Sequence, residues 1–196
     1  FSTIEDGGNC VSDIISSGII PSGMEMMDKA LIHATDNFVK AGYPRDAESM
    51  LIVELDGTES EVLELIERVG KIASKNKSSS IKISKSDNQR LKFWAGRKAA
   101  FPACGDMAPD YYCMDGTIPR RKLAQVLKEI GRLSKKYNLP VANAFHAGDG
   151  NLHPLIMYDA NDKKALEKTE KFGADILKYC VKVGGVLTGE HGVGIE

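Results

Sequence analysis

The sequence has no excess of charge of either sign and no long apolar run, and each absence excludes a class of protein. Lysine and arginine number 26 against 27 aspartate and glutamate residues, which leaves a net charge of −1. This balance argues against nucleic acid or an anionic membrane surface as a partner, because proteins that bind them concentrate positive charge. The apolar runs are too short to span a bilayer, and no signal peptide opens the chain.

The sequence also has no CxxC pair, and its four cysteines are widely separated: Cys10, Cys104, Cys113 and Cys180. In a chain of 196 residues this spacing favours reduced, buried thiols over a disulfide framework. We therefore predict a cytoplasmic location.

An initiating methionine is missing as well. The chain begins at Phe1 and ends at Glu196, directly after a glycine-rich segment that carries chemically reactive side chains. We expect further sequence on both sides of the chain. With 42% hydrophobic residues, the chain can still bury a substantial core.

Short apolar runs alternate with amphipathic stretches, which predicts a mixed α+β fold. The runs predicted as strands are residues 50–56, 81–84, 111–115, 141–145, 152–158 and 186–187. Helices are predicted after the capping residues Thr58 and Ser86, from Pro119, and over about 162–183. The first 45 residues are predicted to be helical, because Met24, Met27, Leu31 and Phe38 are spaced as one apolar stripe.

This order of elements favours an antiparallel sheet with helices packed on one face. Two β-α-β groups, over residues 50–84 and 111–158, suggest a duplicated ferredoxin-like arrangement. No clear sequence repeat accompanies the two groups, so the duplication rests on the order of the elements.

Two histidines flank a turn signal in the segment of residues 145–154. Asp149-Gly150 between two apolar strands is typical of a two-residue type I′ hairpin turn. In that register His146 lies directly opposite His153, with the Cβ atoms about 4.5–5.5 Å apart. Two imidazoles so placed can bind one divalent metal, and the alternative is a pair of histidines in ordinary polar contacts.

A second cluster, Glu190 and His191, lies in the glycine-rich residues 188–194. Glu190 can complete a His-His-Glu set that leaves positions open for substrate oxygens. Adjacent residues on extended backbone point to opposite sides, so His191 would then reach towards the reacting carbon. The alternative is a solvated loop pair.

Several segments together resemble the FAD-linked oxidase C-terminal domains of the vanillyl-alcohol-oxidase superfamily, of the glycolate oxidase and D-lactate dehydrogenase type. They are FHAGDGNLHP at 145–154, GGVLTGEHGVG at 184–194, GMEMMDKA at 23–30, WAGRKAAFPA at 94–103 and DYYCMDGTIPR at 110–120. The match covers nearly the whole chain, in order. It implies that residues 1–196 are a C-terminal cap domain that binds substrate and metal. The cap is expected to be ferredoxin-like and duplicated.

The resemblance implies an enzyme that oxidises D-2-hydroxy acids to 2-oxo acids. FAD is expected to be bound mainly by an N-terminal domain of the same polypeptide that lies outside this chain, and other oxidase subunits are further expected partners. Two positions where relatives specific for 2-hydroxyglutarate carry polar side chains are Phe101 and Cys113 here. This departure favours a short monocarboxylate, glycolate or D-lactate.

The resemblance also implies roles for individual residues. His146, His153 and Glu190 match the ligands of a divalent metal, which would be zinc, manganese or iron. His191 matches the proposed catalytic base. Arg97 matches the arginine that holds the substrate carboxylate, and the alternative is an arginine exposed on an amphipathic helix. Glu190, His191 and Gly192 are assigned to contact with the cofactor.

Two other functions are compatible with these residues. One is a self-contained metal-dependent hydrolase or lyase built on the same His-His-Glu set, and the other is a non-catalytic ferredoxin-like assembly module. No GxGxxG follows a strand, so nothing in the chain cradles a pyrophosphate. We therefore expect the chain by itself to be inactive as an oxidase.

Overall fold

The structure, a computed structural model, describes residues 1–190 and residue 192. Its α-helices are α1 (Ile4–Ser16), α2 (Lys29–Val39), α3 (Glu59–Lys75), α4 (Asp87–Lys98), α5 (Ala100–Ala103), α6 (Leu123–Tyr137) and α7 (Lys163–Lys182). Its strands are β1 (Gly23–Asp28), β2 (Ser49–Glu54), β3 (Asp110–Cys113), β4 (Gly116–Thr117), β5 (Val141–His146), β6 (Asn151–Tyr158) and β7 (Val186–Leu187). Among residues 1–190, no helix is both long enough and apolar enough to cross a membrane.

The strands form one antiparallel sheet. Their order is β2-β1-β5-β6-β4-β7, and β3 pairs with another part of β6. The predicted α+β class with an antiparallel sheet is therefore confirmed. The predicted helices after Thr58 and Ser86 are present, whereas Pro119 precedes a short 3-10 turn and α6 begins only at Leu123.

Residues 81–84, predicted as a strand, lie outside the sheet. Ile81 and Ile83 are 47% and 53% exposed, and no described strand pairs with this segment. Alternation of apolar and polar residues produces a strand only where a sheet edge accepts its hydrogen bonds. The first of the two predicted β-α-β groups therefore lacks its second strand.

The sheet is covered on both faces, because neighbouring residues of β1 enter different cores. Met26 belongs to a core shared with α1, α6 and α7, and α3 packs against it. Met27 belongs to a second core with Leu31 of α2 and Ala100 of α5. The expectation of helices on one face holds for α1, α3, α6 and α7 but is wrong for α2, α4 and α5.

The prediction of helix throughout the first 45 residues is wrong for residues 23–28, which form β1. Met24 and Met26 face the first core and Met27 faces the second. A strand that is buried on both faces has no period-two pattern in its sequence, so its methionines matched a helical stripe instead.

The histidine hairpin has a longer turn than predicted. His146 pairs with Asn151, and His153 pairs with Ala144, so residues 147–150 form the connection. The backbone N–H groups of Asp149 and Gly150 both donate to the His146 carbonyl. The predicted direct opposition of His146 and His153 is therefore wrong. They are diagonal neighbours on the same face of the sheet.

Gly150 is required where this connection meets the chain before α6. Its φ is +78°, and a Cβ atom there would collide with the Ile118 carbonyl oxygen. The Ile118 N–H also donates to the Gly150 carbonyl, at 2.9 Å. The connection therefore has room for backbone alone at this position.

We predict that Gly150→Ala lowers the free energy of unfolding by roughly 2–4 kcal/mol, because the substitution adds both backbone strain and a collision. Urea unfolding measures this change. Gly131→Ala is the matched control, since Gly131 lies in α6 with nothing within 4 Å of the added carbon. The control should gain about 0.5–1 kcal/mol from helix propensity. Equal effects of the two substitutions would contradict the prediction.

Asp28, at the end of β1, ties the sheet to α2. Its Oδ1 accepts from the Leu31 N–H at 3.0 Å, and its Oδ2 accepts from Asn143 Nδ2 at 2.7 Å. Burial raises the pKa of the Asp28 carboxyl from its ordinary value of 3.8 to about 6. Between pH 3.8 and about 6, the folded state therefore keeps a proton on Asp28 that the unfolded state has released.

Because the folded pKa is raised, the stability that Asp28 contributes is present below pH 4 and is lost as the pH rises through 6. We predict that Asp28→Asn removes this loss and is more stable than the parent above pH 7, by up to about 3 kcal/mol. The new amide can hydrogen-bond to Asn143 after the Asn143 amide turns over. Urea unfolding of both proteins from pH 4 to 8 tests this prediction, and a constant difference across the range would contradict it.

Candidate active site

The candidate site lies at one end of the three adjacent strands β1, β5 and β6. Glu25 of β1 pairs directly with His146 of β5, and His146 pairs with Asn151 of β6. His153 follows Asn151 by two residues and therefore points to the same face. This is the face that carries the second core, so the sheet presents Glu25, His146 and His153 side by side.

The two imidazoles lie close together. Their ring centroids are 5.0 Å apart and the rings are nearly perpendicular, at 86°. His153 is fully buried, whereas the His146 side chain is 31% exposed. The pair thus has one ring inside the protein and one at the surface.

A carboxylate holds each imidazole at its Nδ1 atom. Glu25 Oε1 lies 2.7 Å from His146 Nδ1, and Asp115 Oδ1 lies 2.7 Å from His153 Nδ1. A carboxylate accepts, so in the neutral form of each ring Nδ1 carries the proton and Nε2 carries the lone pair that a metal would use. Carboxylate partners of this kind are typical of metal-binding histidines.

Glu190 brings a third potential ligand to the two Nε2 atoms. Its Oε1 is 3.6 Å from His146 Nε2, and its Oε2 is 3.3 Å from His153 Nε2. The Asn151 side-chain amide donates to Oε2 and orients the carboxylate. One ligand atom from each of the three residues lies within 4.8 Å of the others.

The donor set fits a divalent transition metal. Two imidazole nitrogens and one carboxylate oxygen form a common set for catalytic zinc and for non-haem iron, with positions left open for substrate. Glu190 is half exposed, with 48% of its side chain accessible, so these positions can face a substrate. The convergence that the sequence suggested is present in the structure, although the hairpin register differs.

A second group of potential ligands, Cys113, Asp115 and His153, shares one histidine with the first. Burial, followed by the neighbouring Asp115, raises the pKa of the Cys113 thiol to about 12. A metal here would also have to displace the hydrogen bond between Asp115 and His153 Nδ1. The set with Glu190 leaves that hydrogen bond intact and is the better metal site.

Arg97 extends the site towards α4. Its Nε atom donates to Glu25 Oε2 at 2.8 Å, and both side chains are 11% exposed. The same carboxylate accepts from His146, so Arg97 is connected to the histidine pair through Glu25. The alternative of an exposed surface arginine is therefore wrong.

Close packing fixes the helix turn that carries Arg97. The Tyr43 hydroxyl accepts from the Gly96 N–H at 2.9 Å and donates to the Phe93 carbonyl at 2.6 Å. A Cβ atom at Gly96 would collide with the Tyr43 ring. The tyrosine thus holds α4 at the distance that lets Arg97 reach Glu25.

The hydrogen bond to Glu25 also affects the charge of the site. It raises the pKa of His146 above its ordinary value of 6.5, and the partial burial of the ring opposes this rise. A proton and a metal compete for the same imidazole. Metal binding at this site is therefore expected to release protons.

Glu25 and Asp115 are the site residues that the sequence analysis missed. A signal for Glu25 was present, because a charged residue within the apolar run Gly23–Asp28 is buried only when it has a partner. Asp115 gave no comparable signal. It follows β3 in a short connection, and its contact with His153 spans 38 residues of sequence.

The remaining predicted site residues have different outcomes. His191 lies outside the described residues. Gly192 is exposed with φ +80°, and its N–H donates to the Gly189 carbonyl at 3.0 Å. Phe101 and Cys113 are partly buried against the second core, so neither offers a charged partner to a ligand.

The fold and this arrangement of residues place the chain in a known class of flavoprotein domain. Residues 1–196 match the family described as FAD linked oxidases, C-terminal domain. The chain belongs to this family, and the resemblance inferred from its motifs is confirmed.

Similar proteins include glycolate oxidase subunits and D-lactate dehydrogenases. Glycolate oxidase subunit GlcD of Escherichia coli (strain K12) is 54% identical over 196 residues, which are 100% of this chain and 39% of that protein. GlcD of Bacillus subtilis (strain 168) is 31% identical, over 99% of this chain and 41% of its own. The mitochondrial D-lactate dehydrogenase [cytochrome] of Arabidopsis thaliana is 30% identical, over 99% of this chain and 34% of its own. The chain thus spans between about a third and two fifths of the length of these relatives.

Solved structures with the same fold are more distant in sequence. P-cresol methylhydroxylase with substrate bound superposes with a TM-score of 0.66 at 13% identity, over 94% of this chain and 42% of that chain. Alkyldihydroxyacetonephosphate synthase superposes with a TM-score of 0.65 at 16% identity, over 96% of this chain and 39% of that chain. At these identities the likeness shows the fold alone.

Proposed function

We propose that this chain is the substrate- and metal-binding cap of a flavin-dependent enzyme that oxidises glycolate or D-lactate to the 2-oxo acid. The observation that carries the proposal is the convergence of His146, His153 and Glu190 beside an arginine joined to them through Glu25. Family membership and the names of the relatives support the reaction class.

In this proposal His146, His153 and Glu190 hold the metal. A metal bound there would supply Lewis acidity towards the 2-hydroxyl group of the substrate, and FAD would accept the hydride that leaves C2. Arg97 orients the substrate, because a planar guanidinium pairs with a carboxylate through two parallel hydrogen bonds. His191 is proposed to remove the hydroxyl proton.

The proposed substrate is a short monocarboxylic acid. Phe101 packs its ring against Tyr111, with the centroids 5.9 Å apart, and the Cys113 thiol remains protonated at neutral pH because its pKa is raised to about 12. Neither side chain can neutralise a second carboxylate. This supports glycolate or D-lactate over a dicarboxylic hydroxy acid.

We propose an FAD-binding domain of the same polypeptide as the main partner, since the relatives are more than twice as long as this chain. We also propose other oxidase subunits as partners. A cytoplasmic location is proposed because all four cysteines are free thiols. The alternatives are a flavin-free metal hydrolase or lyase and a non-catalytic module. Membership in a family of FAD-linked oxidases favours the oxidase over both.

The metal site is tested by His146→Ala in the full-length polypeptide. We predict that the variant loses most of its bound metal and its oxidation of glycolate, because one of three ligands is removed. Elemental analysis and flavin reduction by glycolate measure the two losses. His33→Ala is the matched control, since His33 contacts the Arg45 carbonyl outside the site. Equal metal content in His146→Ala and the parent would refute the ligand assignment. Metal-dependent hydrolysis without flavin would favour the hydrolase.

The carboxylate anchor is tested by Arg97→Lys. Lysine keeps the charge but cannot form the two parallel hydrogen bonds, so KM for glycolate should rise about tenfold or more. Steady-state kinetics measure the change. Arg90→Lys is the control, because Arg90 lies on the same helix and pairs with Glu54 at the surface. An unchanged KM in Arg97→Lys would exclude Arg97 as the anchor.

A further inference from the structure

Glu25 touches two groups that serve different ligands in the proposed function. Its Oε1 lies 2.7 Å from His146 Nδ1 and its Oε2 lies 2.8 Å from Arg97 Nε. The residue is 9% exposed and lies on β1, directly paired with His146 across the sheet. A single buried carboxylate therefore fixes a metal ligand and the proposed substrate anchor at once.

We infer that Glu25 is a positioning residue that couples metal binding to binding of the substrate carboxylate. The inference rests on the proposed function, because it assigns Glu25 to the same site. It adds a residue that touches neither the metal nor the substrate and acts through His146 and Arg97.

The first half of the coupling acts through the tautomer of His146. The Glu25 carboxylate has only acceptor atoms, so it selects the imidazole form with the proton on Nδ1. That form leaves the lone pair on Nε2, the atom that lies 3.6 Å from Glu190. An amide in place of the carboxylate can donate to Nδ1. It would then favour the form with the proton on Nε2, and a protonated Nε2 has no lone pair for the metal.

The second half acts through the orientation of Arg97. Glu25 occupies the Nε–H group of the guanidinium, and the group is planar. Holding Nε in place therefore directs the two terminal nitrogens along one fixed line. A substrate carboxylate that meets this fork gains orientation without first ordering the arginine side chain.

A purely structural ion pair is the competing explanation. The pair is almost completely buried, and such pairs are costly to break whether or not they serve a ligand. A structural role predicts lower stability in a Glu25 variant but no change in the His146 tautomer. The tautomer therefore separates the two explanations.

The test compares Glu25→Gln with the parent in the full-length polypeptide. We expect Zn²⁺ affinity of the metal-stripped protein to fall about 10- to 100-fold. KM for glycolate at saturating Zn²⁺ should rise about tenfold, because the guanidinium of Arg97 is no longer held in one orientation. Nitrogen-15 NMR of labelled histidine should show His146 changing from the Nδ1-protonated to the Nε2-protonated form.

Three further variants sharpen the result. Glu25→Asp keeps the carboxylate and should restore the Nδ1-protonated form of His146. Asp115→Asn removes the carboxylate beside His153, so it should weaken Zn²⁺ binding with a smaller effect on KM. Glu48→Gln is the control, because it breaks an exposed ion pair. The side chains of that pair, Lys29 and Glu48, are 45% and 47% exposed. Glu48→Gln should leave all three measurements unchanged.

The outcomes distinguish this inference from the proposed function. Unchanged Zn²⁺ affinity and an unchanged tautomer in Glu25→Gln would overturn the inference while the oxidase proposal stands. A parent protein that binds no Zn²⁺, Mn²⁺ or Fe²⁺ would overturn the metal site instead. In that case the tautomer still decides the role of Glu25, since it is measured without metal. If Glu25→Gln does not fold, the comparison uses Glu25→Asp and the parent. The inference is overturned if His146 is Nε2-protonated in the parent and if Glu25→Asp has the same Zn²⁺ affinity, KM for glycolate and tautomer as the parent.

Discussion

The candidate site depends on the hydrogen bond between Glu25 and His146, which joins two central strands of the sheet. The two residues are 121 positions apart in the sequence and meet only because β1 pairs with β5. Glu25 is only 9% exposed, and a buried charge without a partner is costly. Arg97 and the imidazole are its partners. The polar site can therefore lie beside an apolar core.

The sheet holds the site at its end, where paired strands carry Glu25, His146 and His153. His146 and His153 project from paired strands, and Arg97 projects from a helix turn that Tyr43 fixes. Side chains held on strands and helices keep their geometry better than side chains on loops. Glu190 follows the last strand and is half exposed. The candidate ligand set thus combines two histidines on paired strands with one more accessible carboxylate.

Shared architecture does not by itself define a substrate in this fold. Proteins named for p-cresol and for alkyldihydroxyacetonephosphate superpose on most of this chain at 13% and 16% identity. Reaction and substrate depend on the side chains that the sheet presents. In this chain the proposed ones are the histidine pair, Glu190 and the buried arginine. The glycolate oxidase and D-lactate dehydrogenase relatives, at 30–54% identity, are closer in sequence.

Local signals in the sequence were enough to determine the α+β class, most of the helices and the segments that carry the candidate ligands. Capping at Thr58 and Ser86, and the presence of a hairpin between the apolar strands β5 and β6, depend on neighbouring residues alone. Only the tertiary structure decided that residues 23–28 are a strand, that His146 and His153 are diagonal, and that Glu25 joins two parts of the site. Strand pairing and turn geometry determine the first two, and the packing of α4 brings Arg97 to Glu25. A strand that is buried on both faces, such as β1, shows no period-two pattern from which its pairing could be predicted.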